Sequence, residues 1–246
     1  MELGLQGKVA IVTGAGGGIG RQIAKAFSAY GMKVVICDIN ELTAHETMQM
    51  ISGDHLVSVK DLAKVDQCRS LVEETVNKYG RLDVLVNTAG ILRRIAIEEV
   101  DEATWDLVFD VNLKSLFFLS REACVYMKSH GGGRVINFSS QGGFTGGFSQ
   151  SAVYNATKGA ILTLTKSFAR TYATDGICVN AIAPGMVDTE MMKLPQAELD
   201  KIINLVPMQR LGRPDEMAGT VLFLASDWSS YITGATIDVT GGQLMR

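Results

Sequence analysis

The chain has 246 residues, 23 basic against 26 acidic, a formal charge of -3 and 47% apolar residues. That length suits one large α/β unit with a sizeable core. The near-neutral balance, with no block of like charge, argues against nucleic acid and against an anionic membrane as partners.

In chain order the first element is the apolar run KVAIVTG (8–14), which reads as a strand. Nothing around it has the basic start and long apolar run of a leader, and no apolar stretch reaches the roughly 18 residues a bilayer requires. The expectation is a soluble cytoplasmic protein, with Cys37, Cys68, Cys124 and Cys178 as scattered reduced thiols.

TGAGGGIG (13–20) follows that strand and opens a helix over 18–30. Its spacing departs from the usual G-x-G-x-x-G, but the mechanics are similar. Gly14 permits a tight turn, Gly18 lets backbone approach a pyrophosphate, and Gly20, after Ile19, lets the helix pack close to the strand. The helix N-terminus then faces the phosphates with free N–H groups. No Gly-Lys-Ser/Thr ending follows, which argues against a P-loop.

The second strand (33–38) ends at Asp38, 24 residues beyond Gly14 and near the offset expected of an acid that bonds an adenosine ribose. A carboxylate there would repel a 2′-phosphate, and no basic residue stands at Gly17 or just after Asp38 to offset it, so NAD is expected over NADP. After a helix at 41–50 comes a strand at 55–61 ending in Asp61. Asp61 is read either as an acceptor for the adenine amino group, with Leu62 supplying backbone, or as an ordinary loop aspartate.

A helix at 64–79 leads to the strand LDVLVNTAG (82–90) and then to Arg93 and Arg94. Two arginines beyond a strand's C-terminal end could clamp a carboxylate or phosphate, or simply be solvated. A long helix over 101–129 contains Asn112, a residue poorly suited to a helix interior, which suggests a local break. The strand at 133–140 ends in Ser139 and Ser140, and a helix at 153–174 begins with YNATK, placing Tyr154 and Lys158 four apart on one face. The strand at 176–185 ends in Pro184-Gly185. Residues 186–213, rich in Met and bounded by Pro, break the alternation and read as a substrate lid. A helix at 214–225 and a strand at 235–242 close the chain. The strands lack strict polar alternation, so a single-domain, doubly wound parallel sheet of about seven strands with helices on both faces is expected for 1–246.

TGAGGGIG, NTAG (87–90), Asn112 in DVNLKS, INFSS (136–140), YNATK and VNAIAPG (179–185) resemble, in order and spacing, the short-chain dehydrogenase/reductase family over about residues 6–242. The usual Asn-Asn-Ala-Gly is here Asn87-Thr88-Ala89-Gly90, and alignment on RVINFSS selects Ser140 over Ser139. The resemblance implies a Rossmann-like sheet, a nicotinamide cofactor and a homotetramer or dimer, and the long helices at 101–129 and 153–174 suggest such an assembly. It also implies a catalytic set of Asn112, Ser140, Tyr154 and Lys158, with Asn87, Ala89 and Gly90 along the cofactor ribose and Val187 and Thr189 at the nicotinamide.

In this reading the Lys158 ammonium and the positive charge of an oxidised nicotinamide lower the pKa of the Tyr154 phenol, each unit being worth about 1.4 kcal/mol. Ser140 holds the substrate oxygen, and Asn112 passes protons from Lys158 to solvent. The implied reaction interconverts a secondary alcohol and a ketone, on either a 3-oxoacyl thioester or a sugar acid or polyol. The alternative is a dinucleotide-binding sensor of the same fold without turnover. His45, His55 and His130 show no ligand spacing, so no metal is expected.

Overall fold

In the computed structural model, which describes residues 2–147 and 150–246, seven strands form one parallel sheet in the order β3-β2-β1-β4-β5-β6-β7. These are β1 (Val9–Thr13), β2 (Lys33–Asp38), β3 (Leu56–Val59), β4 (Val84–Asn87), β5 (Gly133–Phe138), β6 (Ile177–Pro184) and β7 (Thr236–Val239). The apolar runs make central strands because they are buried on both faces. Ala10 and Val12 of β1 pack to one side with Val34, Ile36, Val84 and Val86. Ile11 packs to the other with Val35, Cys37, Leu85 and Val135.

Each face is covered by helices whose apolar stripes meet it. On the first lie α1 (Gly18–Ala29), through Ile23, Ala24 and Phe27, and α9 (Pro214–Ala225), through Met217, Val221 and Leu224. On the second lie α3 (Val65–Tyr79), α5 (Ser115–Lys128) and α7 (Ala152–Tyr172), through Leu71, Leu119, Met127 and Phe168. Between them come α2 (Glu41–Gln49) and α4 (Glu102–Phe109).

All seven expected strands are present, but β3, β4 and β7 are shorter than their apolar runs. Residues 88 and 89, for example, leave the sheet because their N–H groups donate to the Thr13 hydroxyl instead of to a strand carbonyl. Two short helices, α6 (Gly142–Thr145) and α8 (Gln196–Ile203), were not foreseen. The helix expected over 101–129 is not continuous: at Asp110–Lys114 it widens into a π turn, in which Ser115 N–H reaches back five residues to Asp110 O.

Strand order reverses between β1 and β4. Ligands of open α/β sheets bind at such a switch point, beyond the strands' C-terminal ends. No helix among the described residues is long and apolar enough to cross a membrane.

Candidate active site

The glycine loop sits at the switch point. Gly14 takes a φ of +61°, and a Cβ there would stand 3.0 Å from Ala89 Cα, so the close approach of the β1 and β4 ends requires glycine. Thr13 ties the same ends together, its Oγ1 accepting from Thr88 N (3.1 Å) and Ala89 N (3.0 Å), while the Thr88 hydroxyl donates back to Thr13 O. Thr88 therefore makes the fastening itself.

The N-terminus of α1 has no side-chain cap and no acidic residue in its first turn. Its free N–H groups and positive dipole end suit a phosphate. Arg21, a cation placed unfavourably in that turn, is drawn away by Glu46 (2.9 Å) and Thr47 (2.9 Å) and also donates to Gly16 O. It buttresses the loop from behind. Sequence reading passed over it, although a basic residue in a helix's first turn was a usable signal.

Asp38, at the end of β2, is fixed against this loop. Its two carboxylate oxygens accept from Gly16 N (2.8 Å) and Asn40 N (2.9 Å). Asp61 accepts from Ala63 N (3.2 Å) and pairs with Lys64 (3.5 Å), so its own turn occupies much of its capacity; Leu62 packs into the second-face core. Ile19 packs on the first-face core, and Gly20 lies under the Gly14 carbonyl with no room for a side chain.

The Asn87 side chain does not line the cleft: the amide donates to Ser120 Oγ (3.0 Å) and Asn137 Oδ1 (2.9 Å) inside the protein. A buried amide needs such partners.

Across the cleft, Pro184 and Gly185 end β6, with Gly185 N bonded to Val239 O (3.0 Å). Val187 is buried and forms an isolated parallel bridge with Gly212. Thr189 returns to the glycine loop, its methyl 3.5 Å from where a Cβ on Gly18 would stand. The expected lid, 186–213, is thus pinned at both ends and carries α8 between them. Arg93 and Arg94 are exposed, and Arg94 Nη2 donates to Met191 O (3.2 Å), clasping the lid.

The four expected catalytic residues come together from three elements. The Ser140 hydroxyl accepts from Gly142 N (3.1 Å) and pairs with the Tyr154 hydroxyl. Ser139 is turned away: its hydroxyl donates to Lys158 O (2.8 Å) from a buried position. Lys158 Nζ donates to Phe138 O (2.7 Å) and stands 5.5 Å from the centre of the Tyr154 ring.

Asn112, in the π turn, accepts from Ile91 N (2.8 Å) and donates to Ile91 O (2.9 Å) and Thr157 Oγ1 (3.3 Å). It joins the loop after β4 to the helix that carries Tyr154 and Lys158. A side chain on Gly90 would intrude between them, with Asn112 Oδ1 at 3.2 Å and Lys158 Nζ at 3.7 Å.

In the chain without its cofactor, burial dominates the electrostatics of the pair. Burial pushes Tyr154 up to about 12, with the Ser140 hydrogen bond acting in the opposite direction. Burial also brings Lys158 down to about 8. Desolvation works against both charged forms. The ammonium also stands over the ring, bound to a carbonyl, and not at the phenol oxygen.

A family model described as enoyl-(acyl carrier protein) reductase matches residues 14–243. The chain belongs to the short-chain dehydrogenase/reductase family. It is 40% identical to an uncharacterized oxidoreductase of Thermotoga maritima over 98% of each chain. It is 38% identical to a 3-oxoacyl-[acyl-carrier-protein] reductase of the same organism, over 97% of this chain and 98% of that one. A crystal structure from Sinorhizobium meliloti 1021, described as a short-chain alcohol dehydrogenase, superposes with a TM-score of 0.93 at 32% identity, covering 97% of this chain and 96% of that one. The family implies a nicotinamide cofactor. The glycine cradle, the uncapped helix N-terminus and the fixed Asp38 carboxylate fit its phosphates and ribose.

Proposed function

We propose that this protein interconverts a ketone and a secondary alcohol with NAD(H). The observation that carries the reading is the Ser140–Tyr154 hydrogen bond beside the buried Lys158 ammonium. The cofactor, when bound, supplies or takes up the hydride. The chain's own residues handle the proton and the oxygen. Ser140 holds the carbonyl oxygen, and Tyr154, protonated across the physiological range, gives its proton to the nascent alkoxide. Lys158 supplies positive charge near the phenol, so the tyrosinate left behind is stabilised and then reprotonated. Asn112 holds the π turn against Ile91 and Thr157, next to Lys158, where a proton path to solvent would begin.

The names of the relatives support a 3-oxoacyl thioester or a similar 3-oxo compound as substrate. A second reading, a sugar acid, is favoured by Arg94. Its exposed guanidinium uses few of its five donors on the lid and could take a carboxylate. Asp38 supports NAD(H) over NADP(H). Residues 186–213 act as the lid. The exposed Trp105, Leu107, Phe117 and Val125 of α4 and α5, with a groove lined by Phe109, Leu113 and Leu164, support a homotetramer.

Absorbance at 340 nm, followed with each dinucleotide and a panel of 3-oxo esters, 3-oxoacyl thioesters and sugar acids, tests the reading. Turnover with an NAD(H) preference of about tenfold or more, or about 1.4 kcal/mol, is expected. Equal efficiency with NADP(H) would defeat the cofactor assignment. Dinucleotide binding without turnover of any carbonyl or alcohol would favour the sensor.

A further inference from the structure

The last residues of the chain fold back over the segment that follows Ser140 and touch both its ends. Gln243 Oε1 accepts from Gln141 Nε2 at 2.7 Å. The Arg246 guanidinium stands 3.7 Å over the Phe144 ring and is anchored by Asp238 at 3.1 Å. Gln141 precedes α6 and Phe144 lies within it, and Gln141 O accepts from Phe144 N (3.0 Å) at the helix start.

The tail's own turn is closed by Gln243 N to Thr240 O (3.2 Å) and Leu244 N to Thr240 Oγ1 (3.3 Å). Its other side grips the end of the lid. Met208 N donates to Gly241 O (3.1 Å), and a Cβ on Gly242 would stand 3.1 Å from the Pro207 ring. One strap therefore joins the serine loop to the lid's C-terminal end.

Gln141 makes that strap consequential. It is 8% exposed, and its Oε1 has no partner among the described residues. Gln243 therefore satisfies the one half of this buried amide that is satisfied. A half-satisfied buried group holds its place only while that bond lasts. Residue 141 is next to Ser140, and its backbone N–H donates to Pro184 O (3.0 Å), so a shift there reaches both the serine and the floor of the cleft.

We propose that Gln243 and Arg246 are positioning residues for the chemistry at Ser140, and that the C-terminal tail couples the lid to the serine loop. The first half rests on the role given to Ser140 and Tyr154 above; the second does not. Two variants of the full chain separate positioning from packing: Gln243→Met keeps the length without the acceptor, and Gln243→Glu keeps the acceptor. With ethyl acetoacetate and NADH, Gln243→Met should lower kcat about tenfold, the scale of a small misplacement. NADH affinity by fluorescence titration should stay unchanged, Tm should fall by only a few degrees because the Gln141 amide loses its partner, and Gln243→Glu should recover most of the rate.

In parallel, tryptic cleavage at the exposed lid residues Lys193 and Lys201, followed by mass spectrometry, should be about threefold faster in a chain ending at Gly242, with other sites unaffected. Unchanged kcat in Gln243→Met, or a fall that tracks Tm and is not restored by Gln243→Glu, overturns the positioning role. Unchanged lid cleavage overturns the coupling. If the wild-type chain turns over no carbonyl compound at all, the reading of the active site falls, and the positioning role falls with it. The cleavage comparison still decides the strap.

Discussion

Lys158 carries an ammonium into a site where 4% of the residue meets solvent, and two consequences can be measured. The first concerns stability. With its pKa lowered from 10.5 to about 8, the folded state holds fewer protons than the unfolded chain between those two values. Stability therefore rises with pH across that window, and below about 8 the buried charge costs its full amount, up to about 3 kcal/mol. Lys158→Met should raise Tm at pH 7 while abolishing turnover; a lower Tm would mean that the ammonium's bond to Phe138 O outweighs its desolvation. The second concerns rate. Carbonyl reduction should decline above about pH 8 as the ammonium loses its proton, and a profile flat to pH 10 would remove Lys158 from the proton step. Tyr154→Phe deletes the proton donor and should lower kcat by about 10²–10⁴-fold with dinucleotide affinity retained. The four-residue spacing of Tyr154 and Lys158 was readable because a helix places such positions on one face. The direction of their pKa shifts was not, because desolvation depends on what the rest of the chain packs around them.

At the scale of elements, the π turn at 110–114 shows how a misplaced residue type announces a special geometry. Asparagine is a poor helix former, and the extra residue in the turn matches the break its presence suggested. Its partners, Ile91 and Thr157, lie 21 and 45 residues away in the chain and could not be named from spacing. Asn112→Ala leaves the Ile91 backbone groups unpaired and should cost about 1–3 kcal/mol by denaturant titration, together with a loss of kcat; a neutral effect on both would reduce the residue to a bystander. The segment 186–213 held a second surprise. Its Pro and Met content read as irregular, yet Gln196–Ile203 forms a helix, since eight residues without proline can close two turns once both ends of the segment are pinned.

For the whole molecule, the sheet order sets where everything converges. The ends of β1, β2, β4, β5 and β6 deliver Gly14, Asp38, Gly90, Ser140 and Pro184 to one edge. The helices on either face supply the burial that keeps that edge in register. Phe27, fully buried where α1 meets the sheet, should cost about 3–5 kcal/mol on replacement by Ala, read as a fall in Tm, because it leaves a cavity in the first-face core. Light scattering should find a tetramer, and Phe117→Glu, which places a charge in the apolar groove of α5, should shift it toward smaller species; an unchanged mass would put the interface elsewhere.

The amino-acid order alone determined the strand–helix alternation, the parallel doubly wound sheet, the glycine loop at its first turn and the family. These depend on local periodicity and on short motifs whose residues are neighbours in the chain. Only the folded chain decided that the Asn87 side chain serves the interior, that burial raises the phenol's pKa, and that the C-terminal tail lies on the serine loop. Each of these is a matter of which groups share a desolvated space across dozens of residues, and no local pattern encodes that proximity.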